Sequence, residues 1–299
     1  MANEFIALES GIHYLPGGVN CLALEDGNGG AVLVDTGLDS DHGKKLLKAL
    51  EKKGLTPRAI LNTHSHADHY GGNAVIEAKY PEIKVFAPPL EEAVLRYPIL
   101  EPMYLYGARP PQELQNKFLM GRASNARIAP EPGLCKLGGV TMELLEVAGH
   151  ASLMYAVRVG GFLYAADALF GPETLKRHPL SFCMDSRLQK ESAAGLLELE
   201  GINTVLCGHG EPSSDLQTLV AQNLESFEHT TRAVKAACQE SASVDLILKR
   251  VCDSFQLELK NAGSVLLNRS VVSAHLVELL EREEVSMRVR DNLLEFGVV

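Results

Sequence analysis

Three histidines and an aspartate crowd into the stretch Thr63-His64-Ser65-His66-Ala67-Asp68-His69-Tyr70-Gly71-Gly72. Imidazole suits borderline divalent metals and carboxylate suits harder ones, so a mixed cluster this dense reads as a zinc, manganese or iron site. Further candidates follow downstream: His150 after Gly149, Asp167 after Ala165-Ala166, and His209 between Gly208 and Gly210.

Short strands must position them. Apolar runs broken by turn residues predict strands over 11–15, 19–25 and 31–35, the last two joined through Asp26-Gly27-Asn28-Gly29-Gly30. The third ends in Val34-Asp35-Thr36-Gly37, where the carboxylate is either a helix cap or a group aimed into a site. Residues 40–53 read as an amphipathic helix, with Leu46, Leu47 and Leu50 on one face, Lys44, Lys45, Lys48 and Lys52 on the other, and Gly54 as its stop. A strand over 58–61 then delivers the histidine cluster onto a loop ahead of a helix over 73–80 and a strand over 83–86. A second β-rich half follows, with hairpins 134–137/140–147 and 153–159/162–166 and a short strand at 204–206. Each candidate sits just beyond a strand. The seven residues His64, His66, Asp68, His69, His150, Asp167 and His209 are therefore expected to meet at one edge of the sheets.

Between the halves, residues 88–132 form a proline-rich, irregular insertion carrying Tyr97, Met103, Tyr104 and Tyr106. Such a segment is either a lid over a binding site or a loop seated on the core by its aromatics. After residue 212, helices are predicted over 215–240, 244–257 and 269–283, then a hairpin of 285–290 and 293–298 around Asp291-Asn292.

Composition limits the function classes. A chain of 299 residues with 46% hydrophobic content suits one large α/β domain, or a domain of about 200 residues with an appendage. A net charge of −10 argues against a duplex-binding surface spread over the whole protein. Residues 1–9 lack the basic and apolar regions of a secretory signal, and no run approaches the roughly 20 apolar residues of a membrane helix. The six scattered cysteines read as reduced thiols, and a cytoplasmic protein is expected.

The ordered set HxHxDH at 64–69, His150, Asp167 and His209, preceded by the Asp35-Thr36-Gly37 turn, resembles the metallo-β-lactamase superfamily of metallohydrolases over about residues 11–212. The resemblance implies an α/β fold, a four-layer αββα sandwich with metals at one edge of two packed sheets. The chain then divides into a catalytic domain, 1–212, with a helical, lid-like insertion at 88–132, and a helical C-terminal region, 213–299, whose helices followed by a terminal hairpin resemble a winged helix. The family resemblance further implies that His64, His66 and His150 hold one divalent ion, that Asp68, His69 and His209 hold a second, and that Asp167 bridges them. Zn2+ is the foremost candidate, with Mn2+ or Fe2+ as alternatives. Two such ions bring a shared water close to ionisation at neutral pH, giving a bridging hydroxide. Asp68 would also steer that nucleophile, and Asp35 would hold the histidine loop from behind.

The expected activity is dinuclear metal-dependent hydrolysis of a small ester or thioester. The alternatives are a metal-dependent nuclease or phosphodiesterase, and a non-catalytic metal-binding protein of the same fold. Secreted zinc β-lactamases of the best-known type carry cysteine where Asp167 stands, and flavodiiron proteins carry a carboxylate where His66 stands. Glyoxalase II-like thioesterases share all seven ligands but usually continue with a Cys-Gly-Arg signature absent from residues 168–178, which weighs against a glutathione thioester.

Winged helices that read nucleic acid usually present basic residues on the third helix. Here Arg269 and Arg282 are outnumbered by Glu278, Glu281, Glu283 and Glu284, so packing or homodimerisation is the expected role of the tail and a small molecule the expected partner. His13, His42, His229 and His275 read as structural or surface histidines, Lys176, Arg177 and His178 as a solvated loop, and Tyr155 as core. Cys183 and Met184 line the pocket or simply pack. The sequence identifies no substrate-binding residues.

Overall fold

The computed structural model describes residues 4–299. The reading of the N-terminus as lacking a secretory signal rests partly on residues 1–3, which lie outside the described residues.

The first sheet runs in sequence order through β1 (Ile6–Glu9), β2 (Ile12–Leu15), β3 (Cys21–Glu25), β4 (Gly30–Val34), β5 (Thr56–Leu61), β6 (Lys84–Ala87) and β7 (Ala126–Ile128). β1 to β4 are antiparallel, and β4 to β7 are parallel. The second sheet has the order β12 (Thr204–Cys207), β11 (Phe162–Ala166), β10 (Tyr155–Val159), β9 (Val140–Glu146) and β8 (Gly133–Leu137), antiparallel except for the β11–β12 pair.

Side-chain alternation along a strand explains the layering. Leu22, Leu24, Val32, Val34 and Leu61 pack against Met142, Leu144, Val157 and Tyr164 of the facing sheet. Their neighbours Cys21, Ala23, Ala31, Leu33 and Ile60 instead meet Leu46, Leu47 and Leu50 of α1 (Ser40–Lys53) and Ile76 of α3 (Asn73–Lys79). The short α2 (Ala67–Tyr70) precedes α3. The outer face of the second sheet is covered by α7 (Ser186–Gly195), through Ala193, and by α8 (Leu216–Ala237), through Val220 and Phe227. The expected four-layer αββα sandwich is present.

Helix α1 has the predicted limits because its ends are capped. The Asp39 side chain accepts from the Asp41 and His42 amides, and Gly54 closes the helix in the left-handed region at φ 70°.

The insertion departs from expectation in two ways. It contains α4 (Glu91–Arg96), α5 (Leu100–Tyr106) and β7, so its far end is a strand of the first sheet. It is seated by aliphatic residues: Leu105, Leu114 and Leu119 pack with Leu266 and Leu267, whereas Tyr97, Met103, Tyr104 and Tyr106 are exposed.

Neither α6 (Pro172–Arg177) nor α7 was foreseen, nor was the edge strand β1. In the tail, α8, α9 (Val244–Ser254) and α10 (Ala262–Glu281) pack with the hairpin β13 (Val285–Arg290) and β14 (Leu293–Val298) around Val234, Ile247, Val251, Val272, Leu276 and Phe296. Helix α10 starts seven residues before the predicted position, at a capping box between Asn261 and Ser264. It also contacts α5 and α7. No described helix is long and apolar enough to cross a membrane.

Candidate metal centre

All seven singled-out side chains converge where β4, β5, β11 and β12 end, joined by the turn after β9. Two of those strand ends leave the allowed β region: Asp35 has φ 59° and Ala166, just before Asp167, has φ 47°. Left-handed conformations in non-glycine residues are uncommon and turn the chain sharply, here toward the sheet edge.

The imidazoles are held from behind. Asp35, fully buried, accepts from the Thr63 amide at 2.8 Å, the Thr63 hydroxyl at 2.9 Å and His69 Nδ1 at 2.8 Å, and the Tyr164 hydroxyl lies 3.1 Å away. His64 Nδ1 lies 3.0 Å from Thr63 Oγ1. His150 Nδ1 donates to the Phe182 carbonyl at 2.9 Å and His209 Nδ1 to the Gly18 carbonyl at 2.6 Å. Anchoring one ring nitrogen in this way fixes the tautomer and aims the other nitrogen. Glu91 adds a support from the insertion, since its Oε2 accepts from the Ser65 amide at 3.0 Å.

The free nitrogens face one another. His66 Nδ1 lies 3.0 Å from His64 Nε2 and 2.8 Å from His150 Nε2. Asp167 lies among them, with Oδ1 3.5 Å from His69 Nε2 and Oδ2 3.4 Å from His150 Nε2 and 3.3 Å from His209 Nε2. Asp68 Oδ2 is 3.4 Å from His209 Nε2. Three sets of donor atoms lie within 4.8 Å of one another: His64, His66 and His150; His64, His69 and Asp167; and Asp68, His69 and His209. His64, His69, His150 and Asp167 are buried, while His66, Asp68 and His209 are partly exposed on the open side. Phe170 and Phe182 wall that side, the Phe182 ring lying 4.9 Å from His66 and the Phe170 ring 5.7 Å from His150.

The residues fit divalent cations. His69 Nε2 and Asp167 Oδ1 are buried and face each other at 3.5 Å, too far for a good hydrogen bond and with no other partner, a costly arrangement for polar atoms unless something else satisfies them. Burial, with the neighbouring imidazoles, holds His64 and His66 well below the usual imidazole range, so both are neutral and have lone pairs to give. Burial also lowers His150. For His69 and His209 burial acts in the same direction, but the Asp167 carboxylate outweighs it. His69 is raised well above its ordinary value and His209 to about 9. Burial raises Asp167, yet His209 and His69 overcome this and hold it well below the carboxylate range.

A linkage follows. The Asp167 carboxylate favours the protonated forms of His69 and His209, so a cation taking those nitrogens competes with protons. Calorimetry at pH 7 in buffers of different ionisation enthalpy should show roughly one to two protons released per chain on zinc binding. Both groups deprotonate as pH rises, so affinity should climb toward the His209 value of about 9. A binding heat independent of buffer would contradict this assignment.

Gly208 shows how tightly Asp167 is housed: a Cβ there would sit 2.1 Å from Asp167 Oδ1. Gly208→Ala is expected to displace the carboxylate and weaken zinc binding by about 10–100-fold, measured by chelator competition.

Sequence reasoning did not single out Thr63, Glu91, Tyr164, Phe182 or Gln189, all of which touch the cluster or its loops. A hydroxyl inside the apolar β11 run, Phe162-Leu163-Tyr164-Ala165-Ala166, was the one available signal. The remaining histidines lie elsewhere: His13 meets Glu25, His42 lies near Cys21, His178 is exposed at the end of α6, His229 packs on Phe255 and His275 bonds Thr231. Lys176 pairs with Glu173 on the exposed α6, Tyr155 is core, Cys183 is buried and Met184 is exposed.

The profile of the family described as the metallo-beta-lactamase superfamily matches residues 14–209. A hydroxyacylglutathione hydrolase of Xanthomonas axonopodis pv. citri (strain 306) is 29% identical over 189 residues, 62% of this chain and 59% of that protein. This chain thus spans less than two thirds of that relative's length. A hydroxyacylglutathione hydrolase of Serratia proteamaculans (strain 568) is 24% identical over 78% of this chain and 80% of its own. Among solved structures, a metallo-beta-lactamase family protein from Thermus thermophilus superposes with a TM-score of 0.78 at 20% identity, covering 98% of this chain and 100% of that one. A beta-lactamase domain protein from Burkholderia ambifaria gives 0.74 at 19% identity, covering 100% and 94%. With the profile match running from β2 to the end of the His209 loop, this chain belongs to the metallo-beta-lactamase superfamily.

Proposed function

We propose that the chain is a dinuclear metal-dependent hydrolase of a small ester or thioester. His64, His66 and His150 would hold one ion and Asp68, His69 and His209 the other, with Asp167 shared between them. Nitrogen and carboxylate donors without thiolate suit Zn2+ best, and Mn2+ or Fe2+ as alternatives. The observation that carries this reading is the buried pair His69 Nε2 and Asp167 Oδ1, 3.5 Å apart and without a hydrogen bond, set among imidazoles of which His64, His69, His150 and His209 are anchored through Nδ1. Bound cations would supply an acidified water at neutral pH and polarise a carbonyl oxygen.

The chain's own residues do the rest. Asp68, partly exposed at the rim, accepts a hydrogen bond from the attacking water and directs it at the acyl carbon. The Phe170 and Phe182 rings exclude bulk water beside the reacting centre. Attack breaks the acyl C–O or C–S bond and releases a carboxylic acid with an alcohol or thiol.

The hydroxyacylglutathione hydrolase relatives support a thioester. The missing Cys-Gly-Arg signature leaves the thiol portion open: within residues 168–178 the chain here forms α6, with Lys176 paired to Glu173. A nuclease is less well supported: Arg269, Arg282, Arg288 and Arg290 of the tail are all paired with acidic side chains. We assign the hydrolytic machinery to residues 1–212 and treat 213–299 as an appended region. The six free cysteines, five of them buried, fit a cytoplasmic protein.

A panel of acyl thioesters, esters, lactones and phosphodiesters, tested with zinc-, manganese- and iron-loaded protein, decides the matter. A thioester or ester should turn over with kcat/KM of about 10⁴ M⁻¹s⁻¹ or more. No turnover with both sites filled would contradict the reading, and phosphodiester cleavage alone would favour the nuclease.

A further inference from the structure

We propose that Glu278, on α10 in the C-terminal region, is a positioning residue for the metal centre, acting through helix α7 and the residues just before it. The inference rests on the assignment of His150 and Asp167 as metal ligands.

Residues 182–192 grip the loops that carry both side chains. The Phe182 carbonyl accepts from His150 Nδ1 at 2.9 Å, and the Met184 and Asp185 amides donate to the Gly149 carbonyl at 2.8 and 3.0 Å. Ser192 Oγ donates to the Ala148 carbonyl at 2.7 Å, so the residues leading into His150 are held at three points. Gln189 Nε2 donates to the carbonyls of Asp167 and Ala168 at 3.0 and 3.1 Å. The fit is close: a Cβ on Gly149, whose φ is 121°, would lie 2.2 Å from the Gln189 amide nitrogen. A shift of α7 by a few tenths of an ångström would therefore move one proposed ligand of the first ion and the carboxylate shared by both.

The placement of α7 depends in turn on α10. Glu278 is 1% exposed, and its Oε2 lies 2.5 Å from Ser186 Oγ, at the first residue of α7. Lys190, one turn on, donates to both Glu278 oxygens at 2.8 and 3.0 Å and to Glu228 and Thr231 of α8 at 2.7 Å each. The Ser186 hydroxyl also lies 3.2 Å from the Ala274 carbonyl. His275, one turn before Glu278, stands 3.9 Å from Cys183 Sγ and 2.9 Å from Thr231 Oγ1. Arg282 pairs with Glu278 from the following turn.

A buried carboxylate with this many charge-assisted bonds fixes a helix in register, because any slip leaves charges unpaired in a medium that solvates them poorly. Mere seating of the tail would need no such chain of bonds ending on the loops of His150 and Asp167. The C-terminal region thereby becomes part of the support of the metal centre, in the way that outer hydrogen bonds tune first-layer ligands elsewhere.

Full-length Glu278→Ala, Glu278→Gln and Ser186→Ala proteins test this, with zinc affinity read by chelator competition, the visible spectrum of the cobalt-substituted protein, and circular dichroism. Glu278→Ala should keep its secondary structure, bind zinc between His64, His66 and His150 about 10-fold or more weakly, and show an altered cobalt spectrum. Glu278→Gln retains one acceptor oxygen and should fall between it and the parent. A folded Glu278→Ala protein with unchanged zinc affinities and cobalt spectrum would overturn the proposal. If Glu278→Ala fails to fold, Ser186→Ala removes a single hydroxyl at the α7–α10 contact and decides by the same readouts: weakened zinc binding supports the proposal, unchanged binding overturns it. A parent protein that binds no zinc would overturn the metal assignment itself and this inference with it.

Discussion

Asp167→Asn is expected to reduce bound zinc from two ions per chain to one or none and to lower kcat/KM by about 10³-fold or more, a barrier increase of roughly 4 kcal/mol. The side chain keeps its size, so packing is not at issue. What changes is charge. Asp167 is the one carboxylate with oxygens near His69, His150 and His209 together, and it is almost fully buried. Two divalent cations in such a site need a central anion, and an amide offers none while presenting a donor toward them. Elemental analysis and steady-state kinetics check this together. Two retained ions with less than a tenfold loss would contradict the bridging role.

The second large effect is expected at Asp35. Asp35→Ala strands the Thr63 amide, the Thr63 hydroxyl and His69 Nδ1 in a fully buried position. Unsatisfied buried donors cost about 1–3 kcal/mol each, and partial relaxation brings the total to roughly 3–5 kcal/mol. Alanine is also poorly suited to the φ of 59° found there, whereas asparagine tolerates it and keeps one acceptor oxygen. Thermal melts of the ion-free protein should therefore show a drop of about 10 °C for Asp35→Ala and a smaller one for Asp35→Asn. Zinc affinity should fall about 10–100-fold as the loop bearing His64, His66 and His69 loses its tether. Equal melting temperatures for parent and alanine variant would show that Asp35 does not hold the loop.

The strands that end at the metal centre were legible because alternation and glycine turns are local signals. Gly54 marked the end of α1, and Gly138-Gly139 and Gly160-Gly161 marked the hairpins. The convergence of the seven candidate side chains was legible because their chemistry is unusual for their positions.

The helix that steadies two of them was not. The buried face of α7 includes Ser186 and Gln189, so apolar periodicity, the chief sign of a helix, is weak in Ser186–Gly195. Its single local mark is Asp185, which caps the Leu188 amide. Helix α10 hid its first two turns for the opposite reason. Its neighbours α5, α7, α8 and α9 surround it, so its apolar residues are not confined to one stripe. The buried carboxylates Glu91 and Glu101 in the insertion gave no sign either, since in sequence a buried glutamate looks like an exposed one. Strand β7 is three residues long, and tertiary pairing with β6 decides its conformation.

The most direct measurement is diffraction at the zinc absorption edge from crystals of zinc-loaded protein. Two anomalous peaks about 3.5–4 Å apart are predicted, one enclosed by His64, His66 and His150, the other by Asp68, His69 and His209, with Asp167 between them. A single peak elsewhere on the molecule, or none at this cluster, would contradict the account.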